Sequence, residues 1–158
     1  MRPAACLFTA SMLALVTGPA LGQAALSDAE VMAVHDRLLT IDSHVDIGTD
    51  YGTARLDPGV LNDAQVDLPS MRIGGLDAGY FIVYTPQGEL TEEGYAEAAL
   101  AADDGYRGIL RMLRANPDKI GLATTADDVE ALNADGKLVA LLGMENAYPL
   151  GSTPEEVA

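Results

Sequence analysis

Two residues of metal-binding type, His44 and Asp46, stand two positions apart in a short β-prone run over residues 40–47. Side chains at i and i+2 of a strand project from the same face, so this spacing would bring an imidazole and a carboxylate together. Imidazole nitrogen and carboxylate oxygen are both common ligands of zinc. The pattern H-x-D is short and occurs by chance in many proteins, so its meaning depends on the rest of the chain.

A third candidate ligand, Glu145, directly follows the apolar run LVALLGM at residues 138–144. In a parallel α/β barrel the carboxyl ends of the strands meet at one face, and that face holds the active site. A carboxylate can bridge two cations through its two oxygens, and two metals about 3.5–4 Å apart can activate water for hydrolysis. The residues alone leave structural alternatives open. These are a hydrogen-bond network at the strand end for His44, a turn cap for Asp46, and a cap of the following loop for Glu145.

The net charge of the chain limits its partners. The sequence carries 24 acidic and 9 basic residues, for a net charge of −15 over 158 residues. Nucleic acid and anionic lipid both require a basic surface, so neither is an expected partner. The hydrophobic share of 49% is typical of a globular protein. We therefore expect a folded protein with a solvated acidic surface.

Residues 1–24 have the pattern of a signal peptide. Arg2 precedes an apolar stretch at residues 4–16, which is too short to span a bilayer, and small residues follow up to Ala24. Cleavage after Ala24 predicts an exported protein, periplasmic or extracellular, and an uncleaved membrane anchor is the alternative. No later segment is apolar for long enough to span a membrane. Cys6, the only cysteine, would be removed, so a transition-metal site in the mature chain would use histidine and carboxylates.

Apolar runs alternate with helix signals along the mature chain. Ser27, with Glu30 three residues later, predicts a capped helix that runs to about Leu39. This alternation of strands and helices predicts an α/β fold with a parallel sheet. The predicted strands cover residues 40–47, 78–85, 120–123 and 138–144, and further helices cover residues 70–74, 91–113, 125–132 and the segment that begins at Thr153.

The segment of residues 48–64 is rich in Gly, Asp and Pro and predicts a long loop directly after the strand that carries His44. Loops in this position supply substrate contacts in many α/β enzymes. Asp50 and Tyr51 are therefore candidates for substrate binding. The alternative is a surface loop that makes no such contact.

Three segments, in order, resemble the membrane dipeptidase (renal dipeptidase) family of zinc peptidases. Residues 41–46 (IDSHVD) are similar to its first metal-binding strand, residues 65–81 (QVDLPSMRIGGLDAGYF) to the stretch leading into its second strand, and residues 143–151 (GMENAYPLG) to the segment that holds a bridging glutamate. The resemblance implies that residues 25–158 form the N-terminal portion of a (β/α)8 metal-dependent hydrolase (TIM-type) barrel, truncated at its C-terminus. A complete barrel of this type has about 250 residues.

The resemblance also implies two zinc ions and a dipeptide substrate. His44 and Asp46 would bind one zinc, and Glu145 would bridge both and act as the catalytic residue. The family cleaves dipeptides, often with a D-residue at the C-terminal position, and some members open β-lactam-type substrates. Asn146 departs from the family pattern, because many relatives carry glycine there. A homodimer is a further open expectation.

The expected activity of the chain alone is low. The family's remaining zinc-binding histidines lie further along the chain, and the only other histidine here, His35, is expected on the surface of the first helix. We expect a zinc dipeptidase whose fragment is inactive alone. The alternatives are a non-catalytic truncated product or pseudoenzyme of the same fold, and a related barrel hydrolase acting on cyclic amides or nucleobases. The segment of residues 66–81 speaks against the last of these.

Overall fold

The computed structural model describes residues 25–152, which form a parallel four-stranded sheet with the strand order β1-β2-β4-β3. This confirms the predicted α/β class. The predicted signal peptide and the predicted helix at Thr153 lie outside the described residues. The strands are β1 (Ile41–Asp46), β2 (Ala78–Tyr84), β3 (Ile120–Leu122) and β4 (Leu138–Glu145); the helices are α1 (Asp28–His35), α2 (Leu68–Gly74), α3 (Glu92–Ala115) and α4 (Ala126–Ala134), with a 3₁₀ helix at Tyr148–Leu150.

Side-chain caps determine where the helices after β1 begin. Asp67 accepts a hydrogen bond from the Ser70 backbone N–H at 2.8 Å, so α2 begins at Leu68, two residues before the predicted start. Gly75 ends α2 with φ +70°, a left-handed conformation that glycine adopts without steric cost. Thr91 caps α3 by accepting from the Gly94 N–H.

Helix α1 ends at His35, and the prediction that it continues to about Leu39 is wrong. Its apolar residues Val31, Val34 and Leu38 are all exposed, and the helix buries no residue. Most helical stability in proteins comes from packing of an apolar face. The capping box of Ser27 and Glu30 supports the start of α1, whereas Leu38 and Leu39 are exposed and support no further turn beyond His35. The chain instead leaves the helix through tight turn hydrogen bonds such as Leu38 N–H to the His35 carbonyl.

The two faces of the sheet pack against different helices. Phe81 and Val83 of β2 share the larger core with Ile109 and Met112 of α3. Val139 of β4 packs on the other face, in a smaller core that also contains Ala78, Val129 and Leu141. Side chains alternate between faces along a strand. Glu145, an even number of residues after Val139, therefore lies on the face opposite to α3.

Both edges of the sheet are partly unpaired within residues 25–152. Strand β3 pairs only with residues 138–140 of β4, so residues 141–145 have no strand partner on that side. Strand β1 pairs with β2 alone. Within the same residues, none of the helices combines the length and the apolar character that crossing a membrane requires.

Candidate metal centre

A β-bulge in β1, between Asp42 and Val45, contains His44 and precedes Asp46. Asp42 pairs with Gly79 and Val45 pairs with Phe81, so three steps along β1 face two steps along β2. Bulges insert an extra residue, re-aim a side chain, and are frequent next to active sites. The carboxylate of Asp42 accepts a hydrogen bond from the His44 backbone N–H at 2.9 Å. Asp42 thus supports the backbone from which the imidazole projects.

Sequence reasoning missed Asp42. The available signal was an acidic residue two positions before His44, because aspartate side chains commonly accept a hydrogen bond from the backbone N–H two residues on. The bulge itself leaves no comparable signal, since it is defined by pairing with β2.

The side chain of Glu145 approaches His44 from the end of β4. Its register partner is Tyr84, the last residue of β2. Two residues earlier Gly143 pairs with Ile82, and a Cβ on Gly143 would come within 2.7 Å of the Ile82 Cδ1 atom. The buried side chain of Ile82 therefore occupies the space above Gly143. It forms an apolar layer on the sheet face below the Glu145 carboxylate.

The structure brings the three predicted ligands together. The Nε2 atom of His44 lies 2.9 Å from Oε2 of Glu145 and 3.2 Å from Oδ1 of Asp46. One ligand atom from each residue falls within 4.8 Å of the other two. The side chains are 47%, 72% and 46% exposed for His44, Asp46 and Glu145. The cluster is open to solvent and to a ligand.

The donor set and its spacing fit a transition-metal ion. Ligand atoms about 2.0–2.1 Å from a tetrahedral zinc lie roughly 3.3 Å from one another, close to the two distances measured around His44 Nε2. Exposed ion pairs contribute only about 0–1 kcal/mol to stability. Stabilisation by ion pairs therefore does not account for the proximity of one imidazole and two carboxylates at this position, whereas binding of a metal ion does. Among the described residues Glu145 contacts His44 through Oε2 alone, which leaves Oε1 for a second ion.

Asp50 and Tyr51, the predicted substrate contacts, do not belong to this cluster. Tyr51 is only 2% exposed, and its ring packs against Phe81 with 6.1 Å between centroids. Burial, together with the negative charge of Asp67, raises the pKa of the Tyr51 hydroxyl. Asp50 pairs with Arg55 at 3.0 Å and keeps a side chain 33% exposed. Substrate contact by either residue stays a prediction, and Asp50 is the accessible one.

His35 lies at the other end of the sheet. Its half-buried ring covers Gly75, where an added Cβ would meet the imidazole Cε1 atom at 2.6 Å. Gly75 precedes the amino end of β2, whereas His44 and Glu145 lie towards the carboxyl ends of their strands. His35 therefore lies against the C-cap residue of α2, at the end of the sheet away from the candidate metal ligands.

The known proteins that this chain resembles in sequence are dipeptidases. The sequence model of the family described as "Membrane dipeptidase (Peptidase family M19)" matches residues 28–158. The dipeptidase ataJ of Aspergillus terreus is 28% identical over 101 residues, which cover 60% of this chain and 25% of that protein. The chain thus spans about a quarter of the length of this curated relative.

Solved structures match the fold. The probable dipeptidase PvdM from Pseudomonas aeruginosa superposes with a TM-score of 0.75 at 25% identity, covering 82% of this chain and 33% of that one. A metallopeptidase from Rhodobacter sphaeroides, liganded with a phosphinate mimic of L-Ala-D-Ala, gives a TM-score of 0.58 at 22% identity, covering 72% and 40%. These matches confirm the predicted portion of a TIM-type barrel. Because the family model spans nearly all of the described chain, this protein belongs to the membrane dipeptidase family of metal-dependent hydrolases, Peptidase family M19.

Proposed function

We propose that residues 25–158 are the amino-terminal, metal-binding part of a zinc dipeptidase that hydrolyses the peptide bond of dipeptides. The observation that carries this proposal is the convergence of His44, Asp46 and Glu145 at one edge of a parallel sheet, in a chain of a dipeptidase family. The relative from Rhodobacter sphaeroides supports the substrate class, because a phosphinate has the tetrahedral geometry of an attacked peptide carbonyl.

The three residues divide the ligand work in this proposal. His44 and Asp46 would hold the first ion, and Glu145 would hold both ions. Two zinc ions, when bound, supply polarisation of the scissile carbonyl and activation of a water molecule. Asp42 keeps the His44 backbone in place through its 2.9 Å hydrogen bond. The buried side chain of Ile82 would line the sheet side of the site.

The ligand set of the second ion is incomplete within the described residues. Glu145 would be shared, and His35 lies at the opposite end of the sheet. The remaining ligands would lie in the part of the full-length protein that corresponds to the region of the longer relatives not covered by this chain. Export after cleavage at Ala24 is part of the same proposal, and a homodimer stays a prediction.

The test compares the full-length product of the reading frame with the 158-residue chain. The full-length protein should contain two zinc ions per chain by elemental analysis and should hydrolyse L-Ala-D-Ala or L-Ala-L-Ala. A chelator should abolish this activity and added zinc should restore it. The 158-residue chain should bind zinc weakly at most and show no measurable hydrolysis.

Two outcomes would reject the proposal in favour of its alternatives. A zinc-loaded full-length protein that cleaves no dipeptide from a representative set would be a pseudoenzyme. Hydrolysis of a cyclic amide such as dihydrouracil, without dipeptide cleavage, would assign the protein to the related amidohydrolases.

A further inference from the structure

We propose that Asn146 is a positioning residue that fixes the Glu145 carboxylate at the end of β4; this inference rests on the metal-ligand role of Glu145 proposed above. Asn146 directly follows Glu145 and has φ +72°. It is the only non-glycine residue with a positive φ among residues 25–152. Asparagine and glycine are the residues that adopt this left-handed conformation most readily.

The side chain of Asn146 ties the end of β4 to the end of β2. Its Nδ2 donates to the Thr85 carbonyl at 2.8 Å. Thr85 follows Tyr84, which is the register partner of Glu145. The Asn146 amide therefore extends the pairing of the two strands by one further hydrogen bond, beyond the last backbone pair.

The same side chain also fixes the turn that follows. Its Oδ1 accepts from the Tyr148 backbone N–H at 3.1 Å. The buried Tyr148 in turn donates its hydroxyl to the Glu89 carbonyl and packs against Tyr95 of α3, with 5.1 Å between ring centroids. Glu145 is thus followed by a turn anchored both to β2 and to α3.

Glu145 depends on this anchoring because its own side chain has little other support. The carboxylate is about half exposed, and its contact among the described residues is with His44. A metal ligand must be held within about 0.5 Å of its productive position. The Glu145 backbone is the part that can be held, by the ladder to Tyr84 on one side and by Asn146 on the other.

Glycine at this position would keep the backbone conformation and lose both side-chain bonds. Asn146→Gly therefore tests the two side-chain hydrogen bonds of Asn146 separately from its positive φ. Asn62 provides a matched control, because it is also half-buried in a loop and uses both side-chain atoms for backbone hydrogen bonds, to the Asp57 carbonyl and from the Ala64 N–H. That loop lies near the amino end of β3, where Lys119 donates to the Gly59 carbonyl.

The experiment measures zinc affinity, the absorption spectrum of the cobalt-substituted protein, and steady-state kinetics in full-length variants. Asn146→Gly should raise the zinc dissociation constant about tenfold, the lower end of the effect of removing a partner that orients a ligand. The cobalt spectrum should change, and kcat should fall while KM stays within about twofold. Asn146→Asp keeps the acceptor for Tyr148 and should recover part of the affinity. Asn62→Gly should leave the zinc affinity and cobalt spectrum unchanged.

Wild-type zinc affinity and a wild-type cobalt spectrum in Asn146→Gly would overturn the inference. If that variant does not fold, Asn146→Asp takes its place, and unchanged affinity and spectrum there would overturn it equally. Glu145→Gln separates the two proposals. Impaired zinc binding in Glu145→Gln, with normal binding in the Asn146 variants, rejects only the positioning role. Normal binding in Glu145→Gln rejects the ligand role itself.

Discussion

The carboxylate of Glu145 on β4 contacts the imidazole of His44 on β1 across the intervening strand β2, with 2.9 Å between Oε2 and Nε2. Neighbouring strands lie about 4.8 Å apart, so β1 and β4 are separated by roughly twice that distance. Two long side chains close the gap, and β2 contributes no ligand to the cluster. The site therefore exists only when all three strands have paired.

Glu145→Gln should remove most of the dipeptidase activity of the full-length protein. An amide cannot offer two anionic oxygens to two cations, and substitution of residues that merely orient ligands already costs about 10–100-fold. We expect a loss of activity of at least about 100-fold, with an unchanged circular dichroism spectrum. Near-wild-type hydrolysis with two zinc ions bound would contradict the bridging role.

Asp46→Ala should lower the metal content as well as the rate, because the substitution deletes a direct ligand whose Oδ1 lies 3.2 Å from His44 Nε2. Elemental analysis after dialysis against metal-free buffer measures the content, and dipeptide hydrolysis measures the rate. Asp63→Ala is the matched control, since Asp63 is an exposed aspartate in the loop before α2. Equal zinc content in the two variants would rule out Asp46 as a ligand.

Residues 25–158 expressed alone should be poorly soluble or molten. Residues 141–145 of β4 and the outer side of β1 lack strand partners within the described residues, and apolar side chains such as Tyr84 and Met144 are exposed nearby. Unpaired edges with apolar surface favour association between chains. Size-exclusion chromatography and thermal melting provide the test, and a sharp cooperative melt from a monomer would contradict the expectation.

Acid should weaken α4 through Asp128. Hydrogen bonds from the backbone and hydroxyl groups of Thr124 and Thr125 lower the pKa of Asp128 from its ordinary value of 3.8. A lowered pKa in the folded state gives a contribution to stability that is present above the unfolded-state pKa and lost as the pH falls through the folded-state value.

The melting temperature of Asp128→Asn in the full-length protein should therefore lie below that of the wild type at neutral pH, and the difference should shrink as the pH falls below 3.8. Asp127→Asn, in the same first turn of α4, serves as the control. A difference that is constant from pH 7 to pH 2.5 would show that the charge of Asp128 does not contribute.

Export should leave a mature protein that begins near Ala25. The apolar stretch of residues 4–16 and the small residues up to Ala24 motivate this expectation. Amino-terminal sequencing of the protein from the cell envelope or the medium is the measurement. Recovery of intact Met1 from the soluble cytoplasm would contradict it.

The strands and the candidate ligands were predictable because they depend on local pattern. The apolar run at β2 and the run that ends at Glu145 are typical of buried parallel strands, and the spacing of His44 and Asp46 places them on one face. The four strand predictions agree with the bounds of β1, β2, β3 and β4 to within one residue.

The features that sequence reasoning did not find depend on distant partners. The bulge before Val45 is defined by pairing with β2, and Tyr51 is buried because Phe81, thirty positions away, receives its ring. The end of α1 at His35 has a similar origin, since the periodic apolar residues beyond it find no surface to cover. The bulge and the burial of Tyr51 thus depend on contacts with residues distant in the sequence, and the end of α1 depends on the lack of such a contact.

The bulge in β1 also bears on which changes in length this strand can accept. Ser43 and His44 together stand opposite the single residue between Gly79 and Phe81. A chain without Ser43 would have a regular β1 with the same register on both sides, and His44 and Asp46 would still share a face. Deletion of Val45 would instead put them on opposite faces. A change of length between Asp42 and His44 would cost the hydrogen bond of the Asp42 carboxylate, but it should be less damaging than a change between His44 and Asp46, which separates the two ligands.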